Sequence, residues 1–247
     1  METKVYKEHS KILDRDMEFK VYGHGGKPVL VVPSQNGRYF DFENFGMVDV
    51  CAAEIEAGKL QLFSFDTIDA ETWSDEWGDP GRRMALHEKW FHYVIDELYP
   101  RMMEINGSGQ KAMATGCSMG AYHAANFFFR HPDLFDTLIA LSGIYDPTLM
   151  IHGYFDENMY MNSPVHSLRN MPADHPYMDL YRKSKIIICV GQGAWEDLML
   201  VGTRELDEVL CQKGIPAWID YWGYDVDHDW PWWRKQWRYF LDRVLGE

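Results

Sequence analysis

Short apolar, β-branched runs alternate along the chain with longer stretches whose apolar residues recur at helical spacing. Strand-length runs lie at 16–23, 28–33, 60–65, 110–116, 136–142, 185–191 and 216–222, and helical stretches at 44–57, 81–104, 119–130, 198–213 and 231–244. This alternation predicts an α/β fold with a mostly parallel central sheet and helices on both faces. The runs at 28–33 (PVLVVP) and 185–191 (KIIICVG) are apolar at nearly every position. Strands of that kind are buried on both sides, which places them in the middle of the sheet.

Two connections are longer than compact domains usually allow, and such loops tend to be functional. Residues 66–80 carry Asp66, Asp69, Glu71, Asp75, Glu76 and Asp79 with no Lys or Arg. They read as a solvated charge run or as a surface favouring neutral or cationic substrates. Asp79-Pro80 reads as an N-cap followed by proline at the first helical position. Residues 144–184, rich in Tyr, Met, Asn and Pro, read as a lid over a site or as a fixed flank.

A chain of 247 residues with 46% apolar and 25% charged positions suits one large domain spanning 1–247. Its 24 Lys+Arg against 38 Asp+Glu give a net charge of −14, a field that repels phosphate backbones and anionic lipid surfaces. Nucleic acid and membranes are therefore not expected partners. No stretch reads as a signal peptide or approaches the ~20 apolar residues of a membrane span, so a cytoplasmic location is expected. Cys51, Cys117, Cys189 and Cys211 lack any zinc-like spacing and read as reduced, mostly buried thiols.

Gly116-Cys117-Ser118-Met119-Gly120 falls where a strand hands over to a helix. In that context G-x-S-x-G is a nucleophile elbow, its glycines permitting the sharp turn that exposes the serine hydroxyl. A serine hydroxyl needs an imidazole to take its proton and a carboxylate to orient that imidazole. Both follow in the order serine, acid, histidine. The loop after strand 185–191 offers Glu196 and Asp197, between which the residues themselves do not decide, and His228 sits in the loop after the last strand. Asp225, Asp227 and Asp229 read as turn formers or supporting groups. His87 and His92 are five residues apart, roughly 140° around a helix, which argues against a shared metal. One oxyanion donor should be the Met119 N–H at a helix N-terminus. The other should come from the loop after strand 28–33, at Asn36 or Gly37. Seven of the ten tryptophans fall between Trp195 and Trp237. Of these, Trp230, Trp233 and Trp237 recur at helical spacing and should face the sheet, whereas Trp195, flanking the acid, is the better substrate contact.

The elbow, the run Phe129-Arg130-His131-Pro132-Asp133-Leu134-Phe135 and the ending His228-Asp229-Trp230-Pro231-Trp232-Trp233-Arg234 together resemble the esterase family of α/β-hydrolases. That family includes esterase D, feruloyl and acetylxylan esterases, enterochelin esterases and mycolyltransferases. Tyr160-Met161-Asn162-Ser163-Pro164 is also similar to their connection before the acid-bearing strand, and the likeness covers roughly residues 28 to 244. The resemblance implies Ser118 as nucleophile, His228 as base and an acid in the 191–197 loop. A similar mycolyltransferase loop has its Glu in register with Asp197, with Glu196 still open. A serine carboxylic-ester hydrolase is the expected function, acting without metal or organic cofactor on a small-molecule or carbohydrate-linked ester. An acyltransferase of the mycolyltransferase type and a non-catalytic binding protein on the same fold are the alternatives. A homo-oligomer is left open.

Overall fold

The computed structural model describes residues 1–246. Among these residues, eight strands form one sheet in the order β1-β2-β4-β3-β5-β6-β7-β8. They are β1 (Thr3–Ser10), β2 (Arg15–Tyr22), β3 (Lys27–Val32), β4 (Leu60–Phe65), β5 (Ala112–Cys117), β6 (Phe135–Leu141), β7 (Lys185–Val190) and β8 (Trp218–Tyr221). Pairings β1·β2 and β2·β4 are antiparallel, and every pairing from β4 to β8 is parallel. The seven expected strands are all present. β3 lies mid-sheet as its apolar run requires, whereas β7, equally apolar, sits one place in from the edge with only Lys185 exposed.

The strand without a sequence signal is β1. It is the edge strand, and Thr3 to His9 have almost no buried position, so no face needs an apolar alternation. Lys4 and Lys7 stand on this edge, where charge discourages pairing with another chain.

The helices differ from expectation in how they are broken. The stretch expected at 44–57 divides into α1 (Asp41–Asn44), α2 (Met47–Val50) and α3 (Ala52–Glu56). Gly46 interrupts it at φ 74°. The stretch expected at 81–104 is α4 (Pro80–His92), a π-helical segment at Tyr93–Leu98, and α5 (Tyr99–Asn106). Pro100 has no N–H for the carbonyl four residues back, and the wider turn before it accommodates that loss. The others are α6 (Met119–Arg130), α7 (Glu157–Met161), α8 (Pro164–Asn170), α9 (Tyr177–Lys183), α10 (Asp197–Gln212) and α11 (Trp230–Leu245). Among the described residues, no helix is long and apolar enough to cross a membrane.

One face of the sheet packs against α4, α6 and α10, and the other buries Phe42, Trp233, Trp237, Phe240 and Leu241. The 144–184 segment is built into this body: Tyr145, Met159, Leu168 and Tyr181 are buried, and the Tyr122 hydroxyl on α6 donates to the Asn162 carbonyl at 2.7 Å. Arg130 closes the same seam. It forks onto Glu88 of α4 at 2.6 and 2.8 Å, and the Asn162 amide donates to that carboxylate at 2.7 Å.

Burial alone would raise the Glu88 carboxyl, but the Arg130 fork, its charge and the Asn162 amide outweigh burial and hold it below the ordinary carboxylate range. A carboxyl held low stabilises the fold above its unfolded pKa and loses that contribution as pH falls through its lowered folded value. Glu88→Gln is therefore expected to cost about 1–2 kcal/mol at neutral pH, measured by denaturant unfolding. The difference from wild type should shrink below about pH 4.

Candidate active site

β5 runs at the centre of the sheet into α6, and Ser118 occupies the turn between them at φ 58°, ψ −126°. Positive φ in a residue with a side chain is costly and points the hydroxyl out of the turn. The turn closes only because its flanking residues are glycines. A Cβ on Gly116 would lie 2.4 Å from the Gly120 carbonyl, and one on Gly120 would lie 2.3 Å from the Val32 carbonyl oxygen. The neighbouring Cys117 thiol points into the core, where burial pushes its pKa well up. It is no rival nucleophile.

His228 reaches this hydroxyl from the loop after β8. Ser118 Oγ lies 2.8 Å from His228 Nε2, and His228 Nδ1 lies 3.3 Å from Glu196 Oε2. A carboxylate only accepts, so Nδ1 carries the ring proton and Nε2 is left to accept from the serine. Glu196 is 1% exposed and His228 is half-buried, a setting that screens their interaction little.

Glu196 and Asp197 are separated by the start of α10. Glu196 precedes the helix and turns inward, whereas Asp197 is its first residue and is exposed to solvent. Glu196 thus meets the imidazole, and Asp197 does not. The other Glu196 oxygen accepts from the Ser142 hydroxyl at 2.6 Å and from the Gly191 N–H at 3.4 Å. Ser142 in turn accepts from the Trp233 indole N–H at 3.1 Å, and the Trp233 ring meets His228 edge-on at 4.8 Å between centroids.

Sequence reasoning missed Ser142. It is fully buried at φ 57° just past β6, at the same sheet edge as the other site residues. Its place after a strand end, in Ser142-Gly143, was the available signal. Trp233, expected from its helical spacing to face the sheet, is also buried against it.

Two aspartates of the His228 loop hold it in place. Asp227 accepts from the Ala194 N–H at 2.7 Å while the Ala194 carbonyl accepts from the His228 N–H at 2.9 Å, so acid and base loops clasp each other. Asp229 caps α11, accepting from the Trp230 N–H at 2.7 Å. Trp195 stands beside them, 83% exposed at φ 68°.

The Met119 N–H lies in the first turn of α6, where no intrahelical carbonyl is available to it. The other expected oxyanion donors are occupied. The Asn36 N–H donates to Asp69 Oδ2 at 3.2 Å, and the Gly37 N–H donates to the Ser34 carbonyl at 2.8 Å in closing the turn.

Five of the six carboxylates in the acidic 66–79 loop are engaged within the chain, and Glu76 is exposed. Asp66 binds Arg38, Asp69 binds His123, Glu71 binds Arg15, Asp75 binds Arg82 and Asp79 caps α4. His87 is buried against Trp73 while His92 is half-exposed beside Asp96, the divergence their spacing predicts.

The family model described as "Putative esterase" matches residues 10–239. Among solved structures, a ferulic acid esterase is 18% identical, with 99% of this chain and 98% of that one covered at a TM-score of 0.77. An S-formylglutathione hydrolase from Agrobacterium tumefaciens is 15% identical over 99% and 94%, also at 0.77. MPT51 from Mycobacterium tuberculosis is 14% identical over 98% of each chain at 0.72. No curated protein matches the chain. A family match over nearly its whole length, on an eight-stranded sheet with the serine at the strand-to-helix turn, makes this chain a member of the esterase family of α/β-hydrolases and a serine esterase.

Proposed function

We propose that the chain hydrolyses carboxylic esters through an acyl-enzyme formed on Ser118. The observation that carries this reading is the continuous line from the Ser118 hydroxyl through the His228 ring to the Glu196 carboxylate. As Oγ attacks the ester carbonyl, its proton passes to His228 Nε2 and then to the departing alcohol. Water, deprotonated by the same nitrogen, attacks the acyl-enzyme and releases the acid. Glu196 holds the imidazolium that forms twice in the cycle, and Ser142 and Trp233 fix the carboxylate's orientation.

Two fixed N–H groups are needed where the carbonyl oxygen becomes negative. Met119 supplies one. We assign the other to Gln35, whose N–H is unclaimed among the described residues. Gln35 lies between Ser34, whose hydroxyl donates to the Cys117 carbonyl at 3.0 Å, and Asn36, whose N–H is fixed by Asp69. Trp195 offers an open aromatic face at the rim for the acyl or alcohol group of a small-molecule or carbohydrate-linked ester.

A fluorophosphonate probe tests the nucleophile directly. One adduct per chain is expected, mapped to Ser118 by peptide mass spectrometry, and the folded Ser118→Ala protein should take up none. A wild-type protein that stays unlabelled, or a label on another residue, overturns the assignment.

A further inference from the structure

A single buried carboxylate joins the two sides of the proposed oxyanion site. Asp69 is 1% exposed and lies in the short 3-10 turn that follows β4. Its Oδ1 is 3.0 Å from His123 Nε2, on α6 one turn after Met119, and its Oδ2 accepts from the Asn36 N–H at 3.2 Å, on the turn that carries Gln35. His123 is 1% exposed, and its Nδ1 has no partner among the described residues. The ring's polar contact is therefore the one with Asp69, made through Nε2–H.

Nothing in the chemistry of ester cleavage calls on this pair, since neither residue lies on the line from Ser118 to Glu196. A buried carboxylate nevertheless costs several kcal/mol to desolvate unless its partners compensate. Packing alone would be served as well by an apolar pair of the same size.

We infer that Asp69, held by His123, is a positioning residue for ester cleavage: it fixes the turn at Gln35 and Asn36 against the helix that presents Met119, and so sets the spacing of the two oxyanion donors. The remaining contacts of the turn converge on the same result. The Gln35 side-chain amide donates to the Ser74 hydroxyl at 2.8 Å, and the Ser74 N–H donates to the Asp69 carbonyl at 2.8 Å. The acidic loop thus grips the oxyanion turn by its backbone on one side and by a side chain on the other. Asparagine at position 69 would keep the volume but present an amide N–H to one of the two donors. Either the turn or the helix would then come free of the side chain that now ties them together.

This inference rests on the proposed serine mechanism, and the experiment separates the two. Wild type, Ser118→Ala, Asp69→Asn, His123→Gln and His123→Leu are compared on short p-nitrophenyl esters, with kcat and KM read separately and thermal unfolding followed in parallel. Asp69→Asn is expected to lower kcat about 100-fold, the scale of a misplaced or missing oxyanion donor, with KM within about twofold. The rate of fluorophosphonate labelling should fall by a similar factor. His123→Gln, which can still donate to Asp69, should keep most of kcat, and His123→Leu should lose it. Should Asp69→Asn fail to fold, the contrast between the two His123 variants decides. A folded Asp69→Asn with wild-type kcat and only a lowered melting temperature would show a structural pair and overturn the inference while Ser118→Ala remains inactive. If Ser118→Ala is itself as active as wild type, the serine mechanism fails and the inference falls with it.

Discussion

Ser118→Ala should lower kcat/KM for short p-nitrophenyl esters by about four to six orders of magnitude, leaving only what binding and the oxyanion donors give a water molecule. The size of the loss follows from how the site is built. The hydroxyl 2.8 Å from His228 is the group the ring can deprotonate at that position. Cys117, its neighbour, is buried with its thiol held protonated, so no substitute nucleophile lies next to the gap. His228→Ala should cost about as much, and the double variant little more than either, because the two act as one unit. A Ser118→Ala protein that keeps a tenth of wild-type activity would remove the catalytic reading and leave only the fold.

The next largest effect should separate two adjacent carboxylates. Glu196→Gln is expected to reduce kcat by about three to four orders of magnitude, the cost of losing the carboxylate behind a catalytic imidazole. Asp197→Asn should stay within about twofold of wild type. An amide in place of the Glu196 carboxylate can offer an N–H to Nδ1, which forces the ring proton onto Nε2 and turns the base away from the serine. Ser142 would also lose its charged acceptor and Trp233 part of its anchor. Asp197, exposed at the start of α10, favours the helix dipole by no more than about 1 kcal/mol. If Asp197→Asn is the inactive protein, the loop is held differently when substrate binds, and the acid assignment reverses. Steady-state kinetics of the two variants settle this without a structure.

Much of this was legible in the chain because it depends on local patterns. The elbow is a five-residue motif in a strand-to-helix context, and β3, β4, β5, β6 and β7 are short apolar runs buried along nearly their whole length. His228 could be picked from ten histidines because only one follows the last strand. What was not legible depends on contacts between distant segments. Whether Glu196 or Asp197 points inward is decided by where α10 begins, and two adjacent acidic residues carry no record of that. Asn36 and Gly37 were plausible oxyanion donors by position, but the turn they form uses both N–H groups, one on Ser34 and one on Asp69. The carboxylates of the 66–79 loop looked like a charged surface because their partners, Arg15, Arg38, Arg82 and His123, lie elsewhere in the chain or on the following helix. Pattern reading also passed over β1, whose exposed edge position needs no apolar face.

The conformation at position 118 has a consequence for how such a chain changes over time. A side chain held in this left-handed conformation destabilises the native state by about 1–3 kcal/mol relative to a residue that adopts it freely. Glycine is therefore the thermodynamic optimum at the one place where glycine ends the chemistry. Selection for persistence alone would drift toward glycine at that position, so a serine there marks a protein whose folding free energy is still held below its ceiling by the work it performs.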